Sequence, residues 1–348
     1  MSCRCYIIPK YLEDRINTKF SDVTPRTSEI STNFRSQRET LKSRHLASEQ
    51  SLVTSYTSKN HVYTAKNTQR LPGTLVASSM SESTINKDID VIGAWTLADY
   101  FSRFLREILK RNSFDGMNGT IKSTVHYYRR YNNAFFDGSQ MICGDGDDII
   151  CGDFAQDPSV VFHELWHGVT DRTCKLEYHD QSGSLNESLS DVFASIILQW
   201  INGETIDEAS WLIGERCIID IDQVPYALRS LSDPGSAYIN HPYMGTDDQP
   251  QDMTHYYNGS EDNGGVHINS GIPNHAFYLF AKSIGGYSWD IPCKIWYKTI
   301  TTEGLLSSTT TFVEFAQATI TIATELYASS KPEIIDKLRN AWQNVKVL

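Results

Sequence analysis

At 348 residues the chain is long enough for two domains with substantial cores, and 40% hydrophobic with 11% aromatic residues is ordinary for a globular enzyme. A formal net charge of −11 argues against nucleic acid as a partner. No apolar run approaches the roughly 18 residues of a membrane span.

Residues 1–60 carry ten Lys and Arg against six Asp and Glu, a net of +4, which leaves −15 on the remainder. A basic, Ser/Thr-rich leader ahead of an acidic body suits docking of one on the other, although a solvated disordered tail fits the same composition. The first twenty residues have no continuous apolar core and are interrupted by Lys10, Glu13, Asp14 and Arg15, so they do not read as a secretory signal. The expected location is the cytoplasm, or outside the cell by a non-standard route. The seven cysteines, Cys3, Cys5, Cys143, Cys151, Cys174, Cys217 and Cys293, make an odd set that reads as reduced, mostly structural thiols. Cys3 or Cys5 could alternatively reach a metal as a thiolate.

Strand-like runs at 120–128 and 133–141, followed by a Gly/Asp turn at 144–148, predict a first half rich in β structure. Apolar spacing of three and four at 185–200, 274–284, 310–327 and 332–345 predicts a helical second half. Between the halves a further helix is expected to start at Pro158-Ser159.

That helix carries His163-Glu164-Leu165-Trp166-His167. Two residues four apart share a helical face, so both imidazoles can reach one metal ion, and Glu164 lies just off that face where a carboxylate can take a proton from water. Two His and a Glu can fall into this pattern by chance on an acidic surface helix. The flanking Val160, Val161, Phe162, Leu165, Val169 and Leu176 place these histidines in an interior instead, where an imidazole pair needs a partner such as zinc. A catalytic zinc takes three protein ligands and leaves one position open. Glu187 is the candidate third ligand, and Asp191, one turn on, is suited to accept the N–H of a liganding imidazole. A solvated acidic helix is the bland alternative for that stretch.

Over roughly residues 60 to 348 the chain resembles the thermolysin-like neutral metallopeptidases. The resemblance rests on Val160 to Asp171 around the pentad, on Ser182-Gly183-Ser184-Leu185-Asn186-Glu187-Ser188-Leu189-Ser190-Asp191, and on Asp262-Asn263-Gly264-Gly265-Val266-His267-Ile268-Asn269. Val125-His126-Tyr127-Tyr128 and Tyr131 to Met141 are similar to the family's substrate-edge strand. Nineteen residues separate His167 from Glu187, whereas zinc aminopeptidases usually leave eighteen and carry a Gly-rich exopeptidase motif that is not seen here, so an endopeptidase is favoured. The opening Cys5-Tyr6-Ile7-Ile8-Pro9-Lys10-Tyr11-Leu12 resembles the short precursor of the protealysin-like branch, with Lys10 where a second proline is expected.

The resemblance implies an α+β, two-lobe fold. Its parts are a propeptide at 1–52, a β-rich N-terminal lobe at 53–157, a bridging zinc helix at 158–174 and a helical C-terminal lobe at 175–348. It implies a monomeric zinc endopeptidase, made latent, that cuts peptides on the N-terminal side of bulky hydrophobic residues. One zinc ion would be held by His163, His167 and Glu187, with Glu164 as general base. His267 and Tyr178 would stabilise the oxyanion, and Asp262 would orient His267. Asn133 and Ala134 would pair with the peptide backbone, Arg229 would bond a carbonyl beyond the scissile bond, and Leu228 would wall the adjoining pocket. The opposing hypothesis is a catalytically silent zinc-binding scaffold of the same fold, and it predicts loss of at least one of these chemical groups.

Three departures stand out. Ser159 and Leu198 occupy positions where relatives place calcium-binding acids, so the paired calcium site is expected to be absent even though Glu204, Asp207, Glu208 and Glu215 remain nearby. Trp166 replaces a threonine inside the pentad, and Phe136 replaces a tryptophan on the substrate strand. The pair reads as an exchange of bulk across a cleft.

Overall fold

The computed structural model describes residues 5–19, 59–82, 87–221 and 223–348. Cys3 and the expected propeptide boundary at 52 lie outside them. The chain divides into two units, one made of 1–172, 216–225 and 242–244, the other of 173–215, 226–241 and 245–348.

The first unit is built on a six-stranded sheet. Its strands are β1 (Cys5–Tyr6), β2 (Asn60–Thr68), β3 (Thr74–Ala77), β4 (Ile121–Tyr127), β5 (Ala134–Phe136) and β6 (Met141–Cys143), in the spatial order β1-β5-β6-β4-β2-β3. β4 runs parallel to both β2 and β6, and the outer pairs are antiparallel. The run expected at 133–141 is therefore two strands. They are joined by a turn in which Asp137 Oδ1 accepts the amides of Ser139 and Gln140 at 2.9 and 3.1 Å. Tyr6, Ala65, Tyr127, Tyr131, Phe135 and Ile142 form an aromatic cluster on the sheet, with Tyr127 edge-on to both Tyr131 and Phe135.

Among the described residues the helices of this unit include α1 (Lys10–Lys19), α2 (Ile89–Glu107) and α3 (Pro158–Arg172). The strand-centred reading of the first half passes over α1 and α2. In α2, Val91, Ala94, Leu97, Ala98, Phe101, Phe104 and Leu105 are buried at helical spacing, while Asp88 Oδ1 caps the start by accepting the amides of Asp90 and Val91. Its buried face packs on β2, β4 and α3.

The second unit is helical. It holds α4 (Asp180–Asn202), the short antiparallel pair β7 (Leu212–Ile213) and β8 (Arg229–Ser230), then α5 (Glu261–Asn269), α6 (Gly271–Ile284), α7 (Ile291–Thr301), α8 (Phe312–Tyr327) and α9 (Glu333–Asn344). The four helices read from apolar spacing are all present, and α7 joins them. Trp296 of α7 is the common contact of α6, α8 and α9: it stacks on Phe280 and Trp342 and meets Phe277 and Phe315 edge-on. Trp342 Nε1 donates to Thr319 Oγ1 at 3.0 Å, so the buried indole keeps a hydrogen-bond partner. α8 starts with a capping box between Thr311 and Glu314.

Candidate active site

In the first unit α3 begins at a proline, which tolerates the first helical turn, and Asp157 precedes it. His163, Glu164 and His167 are fully buried. His163 Nε2 and His167 Nε2 face each other at 3.0 Å, with the rings edge-on at 86°. Two zinc–nitrogen bonds of about 2.0–2.1 Å at a tetrahedral angle would hold the nitrogens roughly 3.3 Å apart, so the pair is already close to the spacing one ion requires. The donor set fits zinc.

Trp166, inside the pentad, is fully buried on another side of the helix, edge-on to Phe101 of α2 at 6.2 Å between centroids. Phe136 packs edge-on against Phe114. Trp166 thus packs on Phe101 and Phe136 on Phe114, both within the first unit.

The strand expected to hold substrate is already paired. β1 lies antiparallel to β5 with Cys5 opposite Phe136 and Tyr6 opposite Phe135, and the Ile7 amide donates to the Ala134 carbonyl at 3.1 Å. Asn133 then takes over with its side chain: Oδ1 accepts the Ile8 amide at 3.0 Å, and Nδ2 donates to the Ile8 carbonyl at 2.9 Å. Asn133 Nδ2 also donates to Glu13 Oε1 at 2.7 Å, a buried carboxylate of α1 that sequence reasoning did not single out. Lys10 opens α1 and pairs with Asp14 one turn on, at the exposed edge. Five cysteines are free thiols, and burial pushes Cys143, Cys151 and Cys293 up, which keeps them protonated and inert. Cys5 departs from the expectation of reduced thiols. It is disulfide-bonded, with its sulfur within 4.8 Å of a His167 ring nitrogen, and in that form it offers no thiolate.

In the second unit Glu187 and Asp191 lie one turn apart on α4, both fully buried. Gly183 opens the approach to this helix: a Cβ there would stand 2.4 Å from the Val266 side chain and 3.0 Å from the Tyr178 backbone. The Tyr178 hydroxyl donates to Glu187 Oε1 and lies 3.1 Å from His267 Nε2. Asp262, Asn263, Gly264 and Gly265 all adopt left-handed backbone with φ of 55, 53, 83 and 78°. Gly264 has a second reason to be glycine, since a Cβ would meet Asp180 Oδ1 at 2.1 Å. This reversed turn brings the Asp262 carboxylate back onto His267, where it accepts the backbone amide and faces Nδ1, both at 2.7 Å. Burial pulls the His267 imidazole down, but the charges of Asp262 and Glu187 and the Asp262 hydrogen bond outweigh it, so its pKa lies above the usual 6.5.

Arg229 on β8 holds Asp191 in a buried two-point pair, Nε to Oδ2 and Nη2 to Oδ1, each at 2.8 Å. Asn274 Nδ2 adds a third donor to Oδ2 at 2.9 Å. Asn274 was not predicted from sequence, although it sits at the start of a recognised helix. Leu228 is buried beside Arg229 and its amide donates to the Ile213 carbonyl at 2.8 Å, which fixes it to β7.

The first unit therefore brings together His163, Glu164 and His167, with Asn133 and Ala134 on its strand. The second brings together Tyr178, Glu187, Asp262 and His267, and likewise Asp191 with Arg229. Of the acids near the expected calcium position, Asp207 is paired with Lys282, and Glu208 accepts both donors of Thr205. Glu204 accepts from Asn202 Nδ2 at 3.2 Å, and Glu215 is exposed.

Residues 28–171 match the family described as thermolysin metallopeptidase, catalytic domain, and residues 174–347 match thermolysin metallopeptidase, alpha-helical domain. An extracellular metalloprotease of Pectobacterium carotovorum subsp. carotovorum is 42% identical over 286 residues, covering 82% of this chain and 80% of that one. Protease PrtS of Photorhabdus sp. (strain Az29) is 40% identical over 299 residues, covering 85% and 78%. The precursor of protealysin, a metalloproteinase from Serratia proteamaculans, is similar in structure with a TM-score of 0.83 at 36% identity, over 99% of this chain and 100% of that one.

Proposed function

The chain belongs to the thermolysin metallopeptidase family, and from that premise we propose how its own residues carry out peptide hydrolysis. It is a zinc-dependent endopeptidase made with an N-terminal propeptide. The observation that carries the residue assignment is the buried His163–His167 pair, with its ring nitrogens 3.0 Å apart and Glu164 between them in sequence.

In this reading His163, His167 and Glu187 hold one zinc ion, and Asp191, steadied by Arg229 and Asn274, orients a liganding imidazole. Zinc, when bound, supplies a Lewis acid for the scissile carbonyl and makes water acidic enough to attack near neutral pH. Glu164 takes the proton of the attacking water and passes it to the leaving nitrogen. His267 and Tyr178 donate to the oxygen that gains charge: Asp262 accepts from His267 Nδ1–H and favours the imidazolium, so that Nε2–H is also available to donate.

Substrate binds as an added strand along Ala134, with the Asn133 carboxamide reading one residue of its backbone at both N–H and C=O. The leader's own hold on that edge supports this assignment. Arg229 and Leu228 border the pocket beyond the cut, which favours bulky apolar residues on that side. Residues 1–52 are the propeptide, ahead of a catalytic part with lobes at 53–157 and 175–348 and the zinc helix at 158–174. While it occupies the edge strand, a peptide cannot. The enzyme acts as a monomer and without the paired calcium site, a reading supported by Ser159 and by the engagement of Asp207 and Glu208 elsewhere. Its location is taken as extracellular, as in the name of the Pectobacterium relative.

Peptide cleavage by the matured protein and by Glu164→Gln tests the reading. The variant should keep its zinc and lose turnover by several orders of magnitude. Equal turnover in both would remove Glu164 as the base, and absence of zinc from both would remove the site.

A further inference from the structure

A carboxylate that takes no part in the reaction collects five hydrogen bonds just ahead of the zinc helix. Asp157 is 1% exposed. Its Oδ1 accepts the Ser159 amide at 2.9 Å, the Ser159 hydroxyl at 2.6 Å and the Val160 amide at 3.2 Å, which closes the first turn of α3. Its Oδ2 faces the other way and accepts the amides of Arg216 and Cys217 at 2.8 and 3.1 Å.

The segment it reaches belongs to the same unit although it is distant in sequence. Residues 216–219 are also pinned to 150–152. Gly152 donates to the Cys217 carbonyl at 2.9 Å, Ile219 donates to the Ile150 carbonyl at 3.0 Å, and Cys151 bridges Ile218. Asp157 is thus the point where this strip meets the start of α3.

We propose that Asp157 is a positioning residue for the zinc-binding helix, a single anion that ties the first turn of α3 to the 216–217 strip and so sets where His163 and His167 stand. The proposal rests on the zinc reading of those two histidines. Three physical points carry it. A buried carboxylate is stable only when its oxygens are satisfied, and five donors satisfy this one. Negative charge at a helix N-terminus is favoured by the helix dipole. His163 lies six residues after Asp157, in the second turn, so a rotation or fraying of the first turn moves the imidazole directly.

Ser159 explains why the device works without a cation. Its hydroxyl is a donor 2.6 Å from Oδ1, and an acid at this position would set a second negative charge against the first. Two opposed carboxylates require a cation between them or a shared proton. A serine and one aspartate require neither, so the tie is intrinsic to the chain.

Asp157→Ser and Asp157→Asn separate the two halves of the role. A serine can still cap the helix through its hydroxyl but is too short to reach 216–217, whereas an asparagine keeps the size and loses the charge and one acceptor. The readouts are the rate at which zinc passes from the full chain to a chelator, the visible absorption spectrum of the cobalt-substituted protein, and amide hydrogen exchange of the unsubstituted chain. Both variants should release zinc at least tenfold faster and shift the cobalt spectrum. In the unsubstituted chain, the amides of 159, 160, 216 and 217 should exchange at one common rate. A lowered melting temperature with unchanged zinc release and cobalt spectrum would reduce Asp157 to a stability residue and overturn the proposal. Exchange of 216–217 independently of 159–160 would overturn it without any variant. None of the three readouts requires peptide cleavage, so loss of the proposed enzymatic function would be seen separately.

Discussion

The Asn133 carboxamide meets both polar groups of the Ile8 peptide unit, accepting its amide at 3.0 Å and donating to its carbonyl at 2.9 Å. A substrate held by the same side chain needs the same two groups, so leader and substrate compete for one carboxamide. Ile8→Pro removes the leader's donor while leaving the enzyme's own groups untouched. Activity of the uncleaved chain should rise roughly tenfold, the equivalent of one buried hydrogen bond of about 1.4 kcal/mol, while constants of the processed enzyme stay unchanged. Cleavage of a quenched peptide by the intact and the processed protein checks it, and an equally silent intact variant would show that this bond does not set latency.

How much of this was legible depended on whether the signal was local. The histidine pair is an i, i+4 relation on one helix, so spacing alone exposes it, and Glu187 and Asp191 repeat that relation on α4. Asp157 is different. Its place before Pro158 reads as a helix start, but two of its donors come from residues 216 and 217, and no local pattern announces that meeting. Glu13 is hidden for the same reason, being one acid among several in a leader until the fold sets it against Asn133. The helix α2 was readable, since its buried positions follow a helical period, but no motif lies on it to draw attention to that spacing. The left-handed turn at 262–265 is visible as Asn-Gly-Gly, while its purpose, returning Asp262 to His267, is tertiary.

The doubly bonded Asp262 makes His267 a positioned donor. Removing an oxyanion donor typically costs about 10²–10³ in kcat, so His267→Ala should fall in that range with KM changed little. Asp262→Asn should cost less, because the imidazole remains and only its charge and aim are loosened. Steady-state kinetics on one peptide gives both numbers, and a larger loss in KM than in kcat would assign His267 to ground-state binding.

Calcium removal should leave stability nearly untouched. Two acids near the expected calcium position are engaged, Asp207 with Lys282 and Glu208 with Thr205, and Ser159 donates where a ligand would have to accept. Melting temperatures with and without a calcium-selective chelator, at fixed zinc, should agree within about 2 °C, a difference corresponding to less than about 1 kcal/mol. A drop of ten degrees would restore a calcium site that the donors do not suggest.

His126 gives the first unit an alkaline weak point. Its ring is held at Nδ1 by Asp145 at 2.9 Å and at Nε2 by Asp88 at 3.0 Å. The Asp145 hydrogen bond outweighs the opposing effect of burial and raises its pKa from 6.5 to about 9. A histidine with a raised folded-state pKa contributes stability that is complete below pH 6.5 and is lost as pH rises through about 9. Asp153 is raised to about 6, chiefly by burial, so its contribution is present below its ordinary value of 3.8 and is lost as pH rises through about 6. His126→Asn tests the alkaline limb, because asparagine tolerates the left-handed backbone, φ 54°, at this position. The parent should lose melting temperature between pH 7 and 9.5, and the variant should lose markedly less. Parallel curves would mean that other groups govern the alkaline limb.

Trp166 is fully enclosed and edge-on to Phe101, with the proposed zinc ligands His163 and His167 as its helix neighbours. One helix thus carries core packing and ligand placement on different sides. Replacing an enclosed tryptophan with a small residue costs about 3–5 kcal/mol through lost burial and an unfilled cavity. Trp166→Thr should therefore lower the melting temperature of the zinc-loaded protein by roughly 5–15 °C at a few degrees per kcal/mol. Introducing Phe101→Leu as well should cost less than the sum of the two single losses, since the rings share one contact. Thermal unfolding of the four proteins in this cycle measures the coupling. Strict additivity would show that Trp166 is held by other neighbours and that Phe101 does not brace the zinc helix.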